Sequence, residues 1–452
     1  MMTVVLQAED DASEWSYRGE GAVNLVLSYS GNSQDFIGKV LRIPKVPRND
    51  SDHENGHSGL NTLECILWRD SQDLVLAPTR EVAEQLYVKH VMCPLLGPEH
   101  VDAGVPVYAS REFLEAVERN VLCQRPSWRV DAAKVNALND FVILMSDHSV
   151  FPRRIIKEAL SISVELKPKC GFLPTSEFIA KGNAIKRSVT RFRMHQALKL
   201  LQGKISQKSE YNPLDLFSGS KNRVQKAINN LFITPQNNFR VFLNGSLIFG
   251  GLGGGAEKTN FVVGEAFEEA LKHVIMVEDG MHTKYFLELV ADAVFKSELL
   301  NQLLEVQKLD TVDIEGAIHA YYNIIGQPCA VCRDRNESEL SKRCSMLHSL
   351  PLDESLKIVR DYLISATAKD LSMIISFRPR EKGDPESPYE VVFLKPTAQS
   401  FDFKASFIDL DMKPLEKMEY YYKLDQQIVR CYAQTLKEDH FEDVATIKGI
   451  SH

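Results

Sequence analysis

Charges stand at every second position of an otherwise apolar run, S-I-S-V-E-L-K-P-K-C-G-F, Ser161 to Phe172. Read as a strand, alternation puts Glu165, Lys167 and Lys169 on one face, with neighbours about 7 Å apart. An unpaired buried charge costs several kcal/mol, so a core strand tolerates such a row only where something with phosphates lies against it. The other reading is an edge strand with a solvated charged face. The rest of the chain has to separate the two.

With 452 residues, 44% of them hydrophobic, the chain can bury a sizeable core and is too long for one simple domain, so two lobes or more are expected. The formal charge of -8, from 53 basic and 61 acidic residues, argues against a general nucleic-acid or membrane-surface binder; any basic site must be local. No apolar run approaches the roughly 18 residues that cross a bilayer, and the N-terminus lacks a signal pattern. The chain therefore reads as soluble and intracellular. Cys65, Cys93, Cys123, Cys170 and Cys431 sit singly and read as reduced, buried small hydrophobes.

Cys329 and Cys332 form a C-x2-C pair, with His319 on an expected helix before it and His348 after it. Two thiolates and two imidazoles complete a tetrahedral zinc site, and with all four positions filled by protein the metal is structural. Cys344 is an alternative fourth ligand.

The N-terminal region reads as β-rich. Residues 16–31 carry a turn, Gly19 to Gly21, between alternating apolar runs, and residues 36–43 supply a third strand. A glycine turn of this kind lets backbone N–H groups approach phosphates, or is an ordinary hairpin. Lys39 and Arg42 point to opposite faces by parity. Residues 46–62 are polar and read as a mobile loop. Helices are expected around 63–69 and 81–90, and the apolar strand ending in the turn at 141–149 suits a hinge. Arg125 and Arg129 flank Trp128, on which an arginine can stack.

Residues 183–202 read as one helix whose Arg187, Arg191, His195 and Lys199 recur every four positions as a cationic stripe. Like charges repel unless an anion neutralises them, which favours an anion site. The glycine-rich segment 249–259 fails as a phosphate loop because Glu257 stands where that motif needs glycine, and it reads as a flexible surface loop. Asn237, Asn238 and Arg240 lie at a turn entering a strand. Further on, an amphipathic helix over 351–370 runs into Asp370, and a later strand ends in Asp409 and Asp411, after which Lys413, Lys417 and Tyr421 share a helical face. An aspartate before one strand and another at a strand end is the layout of kinase-like phosphoryl transfer.

R-G-E-G-A-V-N-L-V, V-E-L-K-P-K-C-G-F-L, R-F-R-M-H-Q, Q-N-N-F-R-V, D-I-E-G-A-I-H, K-D-L-S-M-I-I and F-I-D-L-D-M-K-P-L together resemble the inositol-pentakisphosphate 2-kinase family, near its plant-type members. The resemblance implies an α+β, two-lobed fold distantly like protein kinases, with an N-terminal lobe over 1–148, a C-terminal lobe over 149–452 and a zinc module near 315–350. It implies transfer of the γ-phosphate of ATP, with Mg²⁺, to the 2-hydroxyl of inositol 1,3,4,5,6-pentakisphosphate, giving phytate. Two rivals remain: a kinase of the same architecture acting on another inositol phosphate or on protein, and a sensor that binds inositol hexakisphosphate without catalysis.

Carried residue by residue, Gly21, Ala22, Val23 and Asn24 would cover the ATP phosphates with Arg42. Asp147 and His148 would form the adenine hinge, Glu165, Asn238 and Arg240 would lie on the nucleotide side, and Asp409 would hold the metal. Arg129, Lys169, His195, Lys199, Asn237, Lys413, Lys417 and Tyr421 would hold the inositol phosphates, with Asp370 as base and Lys167 at the transferred group. His319, Cys329, Cys332 and His348 match the zinc ligands. Three departures stand out: Ala22 for an expected glycine, Lys417 for an expected arginine, and Pro47 where a basic residue would follow Arg42. A monomer of the cytoplasm or nucleus is expected, with a small-molecule substrate and no nucleic acid or membrane partner.

Overall fold

The computed structural model describes residues 5–6, 9–48, 59–151, 160–251, 265–333, 344–381 and 383–448. Most of the polar stretch 46–62, most of the glycine-rich segment 249–259 and part of the expected metal module 315–350 lie outside the described residues.

Strands β1 (Val5–Leu6), β2 (Trp15–Glu20), β3 (Asn24–Tyr29), β4 (Lys39–Pro47), β5 (Val105–Ala109), β6 (Ala133–Val135) and β7 (Phe141–Ser146) make one sheet. Its order is β1-β5-β7-β4-β3-β2, with β6 on β4. Leu25 and Leu27 alternate inward on β3 and pack with Leu41, Ile43 and Val142 against Phe113 and Val117 of the helix Arg111–Val121. Ser110 caps that helix, its hydroxyl accepting the Phe113 N–H at 3.2 Å.

Strands β8 (Ile162–Leu166), β9 (Phe239–Leu243), β10 (Ser246–Phe249), β11 (Ser372–Pro379), β12 (Glu390–Leu394) and β13 (Gln399–Ile408) make a second, antiparallel sheet in the order β10-β9-β8-β11-β13-β12. Helices Lys221–Ile233, His282–Lys296, Leu299–Gln307, Asp313–Ile325 and Leu352–Ala368 contribute to its core. Residues 60–101, inserted between β4 and β5, join this second core: Leu67, Trp68, Tyr87, Met92 and Leu96 are buried in it, and the Tyr87 hydroxyl reaches Thr367 Oγ1 at 3.5 Å. The two sheets thus meet through a segment that sequence order assigns to the first. The fold is mixed α+β with two sheets, and no helix among the described residues is long and apolar enough to cross a membrane.

Four local expectations change. The charged row is not one strand face: β8 ends at Leu166 with all five residues buried, Pro168 cannot donate to a ladder, and Lys169 adopts φ +62°. The helix over 183–202 is two pieces, a 3₁₀ segment Lys181–Arg187 and an α-helix Arg191–Leu201 capped by Thr190, because a β-branched capping residue interrupts the run. Lys413 precedes Pro414 and lies outside the helix, which begins with the 3₁₀ turn Leu415–Lys417 and continues from Met418, since a residue before proline is pushed from the α region. Among the five single cysteines Cys431 is buried as expected, but Cys65, Cys93 and Cys170 are half-buried and Cys123 is exposed.

Candidate functional site

A short turn over 21–23 joins β2 and β3, its Gly21 N–H donating to the Asn24 carbonyl at 2.9 Å. The turn is pinned from behind. Buried Lys45 donates to the Gly21 carbonyl at 2.9 Å and pairs with Glu20, which also takes Arg125 at 3.0 Å. Burial pushes the Glu20 carboxyl up, but the hydrogen bonds from Arg125 and Lys45 hold it below its ordinary value. Arg125 therefore braces the turn, while Arg129 stacks on Trp128 with its guanidinium carbon 4.0 Å from the ring centroid. No spacing rule pairs positions 20, 45 and 125; only the sheet brings them together.

Parity on β4 holds: Lys39 reaches Ser146 at 3.4 Å, while Arg42 turns into the cleft between the sheets and pairs with Asp411. Asn24, with its side-chain carbonyl turned toward Arg42, accepts from Nη2 at 2.7 Å. The cleft is also lined by Glu84, Asp102, Met145 and Asp409. Glu84, on helix Arg80–Tyr87, is pushed up to about 7 by burial and then by Asp411. At the end of β7, the Asp147 carboxylate is engaged by Ser149 N–H at 2.9 Å and Arg18 at 3.4 Å, and burial holds the His148 imidazole below its ordinary pKa.

Register on the second sheet sets Glu165 on β8 opposite Arg240 on β9, and the two pair at 3.2 Å. The Ser372 hydroxyl lies 3.0 Å from Glu165 Oε1 and 2.9 Å from Asp409 Oδ2, and its single proton serves one at a time. Lys167 donates to the same Asp409 oxygen at 2.7 Å, and its N–H to the Asn238 carbonyl at 3.0 Å. Burial raises the Asp409 carboxyl, but Lys167 and Ser372 bring it well below the usual carboxylate range. Asn238 is buried and its Oδ1 finds no partner among the described residues, whereas Asn237 next to it is exposed.

Asp370 follows helix Leu352–Ala368 and stands 3.0 Å from Lys413 Nζ and 3.6 Å from Lys169 Nζ, its own side chain 61% exposed. Burial raises its carboxyl, but Lys169 and Lys413 hold it below its ordinary value. Burial takes Lys169 down to about 8, with Lys167 and Lys199 adding to the fall. Lys199 is lowered by burial too. His195 is pushed down to about 3 by burial and then by Lys199 and Arg191, so it is neutral at pH 7. Tyr421 is pushed up to about 12 by burial and then by Asp370. The expected four-membered stripe is therefore reduced: Arg187 donates to the Ser176 carbonyl at 2.9 Å, Arg191 pairs with Asp425, and of the four Lys199 is the cation on which Asp370 acts electrostatically. Lys417, after Pro414, is exposed.

A separate cluster brings together His319, Cys329, Cys332 and His348, with ligand atoms all within 4.8 Å of one another. His319 Nδ1 lies 3.0 Å from His348 Nε2 and 3.5 Å from each sulfur. Such spacings suit four donors around one metal ion, and His348 rather than Cys344 completes the set.

Three side chains in or beside this cleft have contacts that local sequence pattern does not signal. Asp411 was visible as a strand-end acid, yet its pairing with Arg42 was not. Ser372 and Glu84 carry no local signal: a serine opening a strand and a glutamate on a helix are ordinary.

Two strand-end aspartates, one paired with an arginine across a cleft, and a third aspartate flanked by two lysines make an arrangement suited to phosphoryl transfer. The sequence model of the family described as inositol-pentakisphosphate 2-kinase matches residues 17–427. An Arabidopsis thaliana protein named inositol-pentakisphosphate 2-kinase is 55% identical over 444 residues, covering 97% of each chain. A relative from Oryza sativa subsp. indica is 51% identical over 96% of each chain, and one from Danio rerio 30% identical over 94% of each, both named as inositol-pentakisphosphate 2-kinases. The chain belongs to the inositol-pentakisphosphate 2-kinase family.

Proposed function

We propose that the chain transfers the γ-phosphoryl group of ATP to the 2-hydroxyl of inositol 1,3,4,5,6-pentakisphosphate, giving inositol hexakisphosphate and ADP. The observation that carries this reading is the junction at the ends of β8 and β13. There Lys167 bridges to Asp409 at 2.7 Å while Lys169 and Lys413 flank Asp370. Asp370, held ionised by its lysines, accepts the hydroxyl proton as that oxygen forms its bond to phosphorus and the bond to the ADP oxygen breaks.

The residues divide by chemistry. Arg42, Asn24 and the backbone of the 21–23 turn suit nucleotide phosphates; Glu165, Asn238, Arg240, Asp147 and His148 suit the rest of the nucleotide. Asp409, with Asp411, suits Mg²⁺, which when bound neutralises phosphate charge. Arg129, Lys169, Lys199, Asn237, Lys413, Lys417 and Tyr421, with neutral His195 as a hydrogen-bonding group, suit the inositol phosphates. The arrangement is two-lobed and distantly protein-kinase-like, with the cleft between the sheets taking the nucleotide, and zinc fits the His319, Cys329, Cys332 and His348 cluster.

The test is phosphorus NMR of ATP mixed with the pentakisphosphate and with inositols lacking one phosphate, with zinc measured on the same sample by mass spectrometry. Transfer to the pentakisphosphate and one zinc per chain are expected; equal kcat/KM for the less phosphorylated inositols would refute the acceptor assignment.

A further inference from the structure

Lys169 is a non-glycine residue in the left-handed region, φ +62°, a conformation that costs roughly 1–2 kcal/mol unless neighbours impose it. The neighbour is Gln307, the last residue of helix Leu299–Gln307 and fully buried. Its Oε1 accepts the Gly171 N–H at 2.8 Å and its Nε2 donates to the Lys169 carbonyl at 2.8 Å, so one carboxamide grips the chain on either side of Cys170. The second Nε2 hydrogen goes to the Ala368 carbonyl at 3.1 Å, two residues before Asp370.

The same helix end is tied to the Asp370 segment twice more. The Ser365 hydroxyl donates to the Gln307 backbone carbonyl, and Asp310 pairs with Lys369 at 2.7 Å. Across the loop, the Tyr211 hydroxyl donates to the Pro168 carbonyl at 2.7 Å. Gly171 must stay glycine here, because a Cβ would meet the Phe217 ring at 2.4 Å.

We propose that Gln307 is the positioning residue that fixes Lys169 against Asp370 in the transfer reaction, a role that rests on the kinase reading above. It is the single side chain among those described here that hydrogen-bonds both the lysine loop and the segment carrying the aspartate. It touches neither reacting group. By holding the two backbones in register, it sets the 3.6 Å approach of Lys169 Nζ to Asp370 Oδ1 in a setting where Lys167 and Lys199 also face the ammonium. No side chain other than a carboxamide of this length supplies one acceptor and two donors at these three points.

The experiment is steady-state kinetics of Gln307→Leu and Tyr211→Phe beside the unsubstituted full chain, with ATP and inositol pentakisphosphate varied separately across pH 6 to about 10. Gln307→Leu is expected to lower kcat and raise KM for the inositol by roughly tenfold to a hundredfold in kcat/KM, with KM for ATP unchanged. The basic limb of kcat/KM for the inositol, set near pH 8 by buried Lys169, should move upward as the loosened ammonium becomes hydrated. The substrate's own titration is common to both proteins and cancels. Tyr211→Phe should shift the same parameters in the same direction by a smaller factor, which keeps the role testable if the leucine variant does not fold. Loss of both substrates' binding in proportion to lost folded protein, or an unmoved basic limb, would overturn the positioning role. Absence of transfer by the unsubstituted chain would overturn the kinase reading and this role together; transfer by it, matched by Gln307→Leu, would overturn the role of Gln307 alone.

Discussion

Lys167 and Lys169 lie two residues apart on one loop, yet their surroundings push their ammonium groups in opposite directions. Burial lowers both. At Lys167 the opposing carboxylate of Asp409, 2.7 Å away, more than offsets it and the pKa rises. At Lys169 the partner, Asp370, is 3.6 Å away and shared with Lys413, and the pKa falls to about 8. On the side proposed for the nucleotide the charges are paired off one against one, Arg240 with Glu165, Arg42 with Asp411, Lys167 with Asp409. On the side proposed for the inositol, Lys169 and Lys413 share a single carboxylate, Asp370, which also acts electrostatically on Lys199. The first arrangement is locally neutral, and a metal bound there with the nucleotide would neutralise part of the phosphate charge. The second stores uncompensated positive charge, which an acceptor with many phosphates would relieve.

The comparison is most exposed at Asp370. Asp370→Asn keeps the shape and removes the proposed proton acceptor, so kcat should fall by roughly a hundredfold to ten-thousandfold while the inositol still binds. Single-turnover transfer with labelled ATP, read beside equilibrium binding, checks both halves; a fall under about tenfold would deny Asp370 its role as base.

Next in size is the split between the two lysines. Lys169→Met should raise KM for the inositol by roughly tenfold to a hundredfold, whereas Lys167→Met should lower kcat by a similar factor with KM for the inositol nearly unchanged. If the two variants exchanged these patterns, the division into paired and surplus charge would be wrong.

The pH profile sharpens the same point. In the proposed role the charged form of Lys169 binds phosphate, so in the free enzyme kcat/KM for the inositol should hold below pH 8 and decline as pH rises through about 8. Lys169→Arg keeps its charge throughout, and its profile should lack that limb. The smallest expected effect is at exposed Lys417, where Lys417→Arg offers a phosphate a planar fork in place of a point charge and should lower KM for the inositol about two- to threefold. An unchanged KM would place Lys417 outside the ring of contacts.

Legibility in the sequence followed the range of the interaction. The β2–β3 hairpin and β4 were readable because alternation and a turn are local, and Arg42 separated from Lys39 by parity alone. The metal cluster was readable because C-x2-C is a short-range geometric device, although choosing His348 over Cys344 needed more than spacing. The helical stripe over 183–202 was misread because Thr190 starts a new helix, which turned Arg187 toward the backbone at Ser176. The row of Glu165, Lys167 and Lys169 was misread for a similar reason: alternation assumes a strand that continues, and this one stops at Leu166.

By itself, then, the sequence determined which chemistry is present: carboxylates ahead of and behind strands, lysines in excess of local acids, and a cysteine–histidine set, all properties of residue types at short spacing. Only the tertiary structure decided which lysine meets which aspartate. That choice is made by β8 lying between β9 and β11, by the positive φ at Lys169, and by a buried carboxamide at Gln307 more than 130 residues further on. Electrostatic energies depend on separations of a few ångströms and on burial, and neither quantity is encoded in any one stretch of chain.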